Sequence, residues 1–283
     1  MSPTINLEDE FNTKYFSREL LYSWLSPEKI KELFKKKVLV IGVGGLGSFS
    51  STILFKSGVL DLTIMDFDNV EISNLHRQLF CVNDVGKPKA KLTSERLSSY
   101  FNGIKTKFMA EKFSEKNMAI IKDYDLIVDG TDNLFTRNLI NKAIVFHQKP
   151  AVFAMIGNSK VMIYPKNIND PCLSCFLNIG KEIKKADVKN NPDKNNLEDS
   201  KYQISDQIEN DTAKCSNDET KAVIAPVNVL ASSIQSYIAI KMLLGISNGF
   251  DGKLITFDFN EMLLRKIEVK KNKNCLICKE QRK

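Results

Sequence analysis

The chain has 283 residues, 43% of them hydrophobic and 27% charged, with a formal net charge of +7. This suits one large α/β domain or two small ones, and excludes a disulfide-built mini-protein or a disordered tail. Residues 265–283 hold eight Lys/Arg against two Glu, so this end carries +6 and the nearly neutral body lacks a nucleic-acid binder's basic footprint.

In chain order, the acidic start MSPTINLEDE is unlike a secretory signal, so the expected compartment is the cytoplasm. Ser26-Pro27-Glu28 marks a helix start, with Ser as cap and Pro at the first position, and the helix runs to about Lys36. VLVI (38–41) predicts a strand that ends in a glycine loop, followed by a helix from Leu46 to about Lys56. A strand fits 60–65, a helix 87–100, a strand 104–109 and a short helix near Ser114. DLIVD (125–129) is a further strand, with a helix over 133–146 and strands at 151–154 and 160–164. Residues 178–221 are rich in Lys, Asn and Asp and show no period, which predicts a long mobile loop. A buried helix follows over 226–244, then a hairpin of 254–259 and 263–269, then the basic tail. The uncharged stretches 38–55 and 222–240 are broken by glycines, serines, Pro226, Asn228 and Gln235, so they read as core elements and no membrane partner is expected. Alternating strands and helices point to an α/β, Rossmann-like, mainly parallel sheet covered on both faces, with ligands at the strands' carboxyl ends. The tail fits either a solvated end or a dock for an acidic partner.

Gly42-Val43-Gly44-Gly45-Leu46-Gly47 places G-x-G-x-x-G between a predicted strand and a predicted helix. There the glycines allow a tight turn and close approach of backbone to phosphate, and the helix N-terminus attracts an anion. Asp66 ends the next predicted strand, where a carboxylate can accept from both hydroxyls of a ribose. No hydride-transfer site accompanies them. Instead, Asp66-Phe67-Asp68 is followed by Asn74-Leu75-His76-Arg77-Gln78 and then by Gly86-Lys87-Pro88-Lys89. A site that expels pyrophosphate needs Arg and Lys to neutralise phosphate charge and carboxylates to hold Mg²⁺. Arg77, Lys89, Asp68 and Asp132 (in Thr131-Asp132-Asn133) can supply these groups. Individually, Lys87 and Lys89 could simply flank a helix start, and Asp132 could cap the helix at 133–146.

Taken together, GVGGLGS, IMDFDNVEISNLHRQ, GKPKA and VDGTDN resemble the ThiF/MoeB/HesA family over roughly residues 10–283. These are relatives of ubiquitin-activating enzymes that adenylate the C-terminus of small sulfur-carrier proteins. The resemblance implies a single adenylating domain that uses ATP and Mg²⁺, a homodimer and a Zn²⁺ site. Its segments would be 1–36 (helical), 37–165 (nucleotide-binding core), 178–221 (crossover loop) and 222–283 (helix, hairpin and zinc-bound tail). By the same resemblance Asp66 would hold the ribose, Asn74, Arg77 and Lys89 the phosphates, and Asp132 the metal. Arg18, in Tyr15-Phe16-Ser17-Arg18-Glu19, resembles the arginine that reaches into a neighbouring subunit's ATP site. The implied substrate is the C-terminal Gly-Gly of a ubiquitin-like carrier that serves molybdopterin or thiamine synthesis.

Cys172-x-x-Cys175 and Cys275-x-x-Cys278 form two pairs about a hundred residues apart, suited to a structural tetrahedral Zn²⁺. Redox dithiols are the rival, disfavoured because neither pair is expected to start a helix after a strand. Cys81 reads as a small buried or loop residue, and Cys215 either as an incidental loop cysteine or as a thioester or persulfide residue. His76 fits packing or chemistry, and His147 a helix end. Three other functions stay open. One is adenylation of a ribosomal peptide by a microcin-type enzyme, against which the expected lack of an N-terminal clamp domain counts. The others are an NAD(P)-dependent oxidoreductase and a silent binding module.

Overall fold

The computed structural model describes residues 14–101, 103–157, 159–177, 223–247 and 249–280. Eight strands form one sheet: β1 (Lys37–Ile41), β2 (Asp61–Met65), β3 (Lys107–Met109), β4 (Leu126–Asp129), β5 (Ala151–Gly157), β6 (Lys160–Lys166), β7 (Lys253–Asp258) and β8 (Leu263–Glu268). Their order is β3-β2-β1-β4-β5-β6-β7-β8. Strands β1 to β5 pair in parallel, and β5 to β8 continue as antiparallel neighbours. The Rossmann-like, mainly parallel sheet expected from the alternating pattern is therefore present, with an antiparallel extension. Chain order reverses between β1 and β4, and a crevice opens there at the carboxyl ends.

The helices are α1 (Pro27–Lys35), α2 (Gly47–Lys56), α3 (Lys89–Ser98), α4 (Leu134–Phe146), α5 (Ala225–Leu243) and α6 (Leu276–Glu280). Ser26 caps α1 by accepting from the Lys29 N–H at 3.4 Å, with Pro27 at the first position. Side chains alternate across the strands and so feed two cores. Val38, Val40, Leu62, Ile64 and Val128 pack with α1, α2, α3 and α5 on one face. Leu39, Ile41, Ile127 and Phe153 pack with α4 on the other.

The two uncharged stretches are core elements. Serines let α2 and α5 approach closely: the Ser232 hydroxyl donates to the Leu46 carbonyl at 2.9 Å, and that of Ser236 to the Ser50 carbonyl at 3.4 Å. Gln235 ties four elements together. Its Oε1 accepts from Ser50 Oγ (2.7 Å), and its Nε2 donates to the Asp129 and Val152 carbonyls (2.8 and 3.0 Å). No helix among the described residues is long and apolar enough to cross a membrane.

Two expected elements differ. The strand at 104–109 shrinks to Lys107–Met109, because Thr106 turns towards α3, its N–H donating to Ser98 Oγ (3.1 Å) and its hydroxyl to the Ser94 carbonyl (2.9 Å). The short helix near Ser114 is instead a turn closed by Asn117, and a 3-10 helix follows at Met118–Asp123. Neither cysteine pair starts a helix directly after a strand: Cys172 stands beyond the end of β6 and precedes the 3-10 turn Leu173–Cys175, and Cys275 stands beyond the end of β8 and precedes α6. The predicted loop at 178–221, with Cys215, lies outside the described residues.

The buried amide of Gln235 supports both the helix packing and the sheet beneath it. Gln235→Leu is expected to lower stability by about 2 to 3 kcal/mol, since two buried carbonyls lose their donor. A drop in the urea midpoint with an unchanged m value would show this, and an unchanged midpoint would refute it.

Candidate active site

β1 ends in a turn that only glycine can make. Gly42 sits at φ +84°, and a Cβ there would stand 2.9 Å from the Gly130 backbone. Gly47 opens α2 so close to Gly42 that a Cβ would overlap the Gly42 carbonyl oxygen. The strand ends are thereby drawn together, with Gly44, Gly45 and Leu46, which lead into the α2 N-terminus, lining the crevice.

Asp66 follows β2 with both carboxylate oxygens engaged: Oδ2 accepts from the Val43 N–H (2.7 Å) and Oδ1 from the Asp68 N–H (2.8 Å). Burial pushes its pKa up, opposed by those two N–H groups and by the charge of Lys89. Lys89, the first residue of α3, is 5% exposed, and its Nζ lies 3.1 Å from Asp68 Oδ2. A small bridge between Asn69 and Pro88 folds the intervening loop back and brings these two charges together. In that loop Glu71 and Asn74 cap a 3-10 turn at Ile72–Asn74, and Arg77 Nη1 donates to the Ser73 carbonyl at 2.6 Å.

Across the crevice, Asp129 ends β4 fully buried. Its Oδ2 meets Arg137 Nε of α4 at 2.5 Å, and Arg137 Nη2 donates to the Thr131 and Ala154 carbonyls. Asn133, and not Asp132, caps α4 by accepting from the Thr136 N–H at 2.8 Å. Asp132 is exposed at the pocket mouth.

A pocket of about 380 Å³ gathers these groups, with Gly42, Gly44, Gly45, Asp66, Asp68, Asn74, Arg77, Lys89 and Asp132 in its wall. Gly47 supports the turn from behind. Arg18 lies apart, exposed beside the 3-10 turn Glu19–Leu21. His76 is exposed with Nε2 at 3.4 Å from Arg77 Nη1, Cys81 is an exposed loop residue, and His147 ends α4. Gln78, Arg137 and Asn228 also line the pocket and were missed. Arg137 had a signal: it shares a helix face with Ile140 and Ile144, an odd place for a lone cation. Gln78 and Asn228 had none.

The four cysteines meet on the other face of the sheet. Sγ separations are 3.9 Å for Cys172–Cys175, 3.5 Å for Cys172–Cys275 and 3.7 Å for Cys175–Cys278, and all four sulfurs lie within 4.8 Å of one another. Bonds of about 2.3 Å to a central tetrahedral ion give sulfur–sulfur edges of about 3.8 Å, so the set fits one metal ion. Asn141 of α4 steadies it, its Oδ1 accepting from the Leu173 N–H at 2.9 Å. Hydrogen bonds from the neighbouring thiols, Cys172 first, hold Cys278 well below the usual thiol range.

The model of the ThiF family matches residues 16–277. The sulfur carrier protein adenylyltransferase of Thermus thermophilus is 29% identical over 274 residues, which are 94% of this chain and 90% of that protein. The adenylyltransferase and sulfurtransferase MOCS3 of Dictyostelium discoideum is 30% identical over 93% of this chain, which spans only 56% of that longer protein. The molybdopterin-synthase adenylyltransferase of Escherichia coli is 26% identical, covering 96% and 98% of the two chains. Escherichia coli MccB, solved with ATP, superposes with a TM-score of 0.73 over 96% of this chain and 76% of its own at 23% identity, which shows a shared fold.

Cys275→Ser should lower both metal content and melting temperature. Metal analysis of the purified protein checks this: one ion per chain retained at an unchanged melting temperature would remove the four-cysteine site.

Proposed function

The chain belongs to the ThiF family, and on that premise we propose that it adenylates the C-terminal glycine carboxylate of a ubiquitin-like sulfur-carrier protein. ATP is the AMP donor and pyrophosphate the leaving group. One observation carries this reading: Asp66, Asn74, Arg77 and Lys89, from the loop after β2, and Asp132, from the turn after β4, line one pocket above the glycine turn. The names of the Thermus and Escherichia coli relatives support the same reaction and substrate class.

The attacking carboxylate is already ionised at neutral pH, so no general base is needed. A bond forms from its oxygen to the α-phosphorus while the bond from that phosphorus to the β-phosphate oxygen breaks. The protein's work is positioning and charge stabilisation. Arg77 and Lys89 offset the negative charge that grows on the phosphates. Asp68 holds Lys89 in place. Asp66, whose burial disfavours its charge, gains two hydroxyl donors from a ribose. Mg²⁺, when held by Asp132, would neutralise charge on the leaving pyrophosphate. Zn²⁺ suits the four-thiolate set as a structural ion that leaves no open position.

The test is carrier-dependent ATP–pyrophosphate exchange, run with a molybdopterin-type carrier, a thiamine-type carrier and a ribosomal peptide. Exchange with one carrier supports the reading and selects the pathway. Exchange with the peptide alone, or none at all, overturns it. Arg77→Ala should cut exchange by about a hundredfold or more while the melting temperature holds; wild-type rates would remove Arg77 from the mechanism.

The proposal includes a homodimer in which Arg18 serves the site of a second copy. Mixing Arg18→Ala with Lys89→Ala protomers should then restore about a quarter of wild-type exchange, because only mixed dimers hold one intact site. No recovery on mixing would place Arg18 outside the reaction.

A further inference from the structure

Gln78 follows Arg77 and lines the pocket, yet its side chain is 8% exposed. Its Oε1 is buried and has no hydrogen-bond donor among the described residues. A buried acceptor without a donor is costly, and few native structures leave one in place without reason. Its location suggests the reason. Gln78 Nε2 lies 3.7 Å from where a Cβ on Gly44 would stand, so the carboxamide sits over the glycine turn. Over the next glycine sits a second buried carboxamide, Asn228 of α5, whose Nδ2 donates to the Arg77 carbonyl at 3.3 Å. Asn228 thus fixes the backbone from which Gln78 projects.

The ligand groups that reach this spot can be sorted by chemistry. Phosphates, drawn to the glycine turn and the α2 N-terminus, offer no donor at neutral pH. The ribose hydroxyls belong with Asp66, which is tied to Val43, one step earlier along the turn. The adenine amino group is carried beyond the ribose, away from the phosphate turn, which leaves the peptide N–H that precedes the substrate's terminal carboxylate, the group that must meet the α-phosphate. We infer that Gln78 Oε1 accepts this N–H and so aims the carboxylate at the α-phosphorus. The inference rests on the adenylation reading. It adds to it a residue that reads the acyl chain and not the nucleotide.

The probe is a ubiquitin-like carrier ending in Gly-Gly, compared with a semisynthetic copy in which an ester oxygen replaces the last peptide N–H. Binding is measured by calorimetry with a non-hydrolysable ATP analogue present, so no turnover is required. Wild-type protein should bind the ester carrier about tenfold more weakly, equivalent to about 1.4 kcal/mol. Gln78→Met should bind the natural carrier about tenfold more weakly and lose nothing further with the ester, the coupling expected of a direct contact. Equal wild-type binding of the two carriers overturns the contact without use of any variant. Additive losses overturn it as well. Binding of the analogue but of no carrier would instead sink the carrier reading, and the contact with it.

Discussion

The ion pair between Asp129 and Arg137 is the constraint around which the crevice is built. Asp129 is fully buried and Arg137 is 4% exposed, so neither charge can turn to water. Such a pair is tolerable only when further hydrogen bonds support both charges. Asp129 Oδ1 accepts from the N–H and hydroxyl of Thr131, and Arg137 Nη2 donates to the Thr131 and Ala154 carbonyls. The turn after β4 is thus held from both sides. That turn contains Gly130, which Gly42 must approach, and Asp132, which stands at the pocket mouth.

The opposite wall is assembled by different means. From Asp66 to Lys89 the chain makes a loop whose order comes from short-range bonds: the turn capped by Glu71 and Asn74, the bridge at Asn69 and Pro88, and the pair of Lys89 with Asp68. A loop braced within itself can carry several charges to one place without deforming the sheet beneath it. The site is therefore a meeting of two rigid pieces, one fastened through the core and one fastened locally. Such preorganisation is what positioning chemistry requires.

The cysteine cluster and the antiparallel strands answer a different need. Cys172–Cys175 and Cys275–Cys278 lie 103 residues apart, yet pack with Tyr164, Phe176 and Ile277 in one core. A metal ion there would join the segment after β6 to the chain's last described helix. It would leave the pocket on the sheet's carboxyl edge untouched.

Much of this was legible in the sequence. The β-branched strand runs, the glycine turn, the acid after the second strand and the paired cysteines are local patterns whose physics operates over a few residues. They announced an α/β sheet, the nucleotide-type pocket and the metal set. The sequence could not decide which polar residues become buried, because burial depends on which distant elements meet. Gln235 reaches Asp129 across 106 residues, and Asn228 reaches Arg77 across 151. In the sequence these amides are merely polar interruptions of apolar helices. Asp132 shows the same limit at short range: sequence alone left it as a helix cap or a site residue. Tertiary structure gave the cap to Asn133, whose extended backbone places its Oδ1 at the Thr136 N–H, and left Asp132 at the pocket mouth.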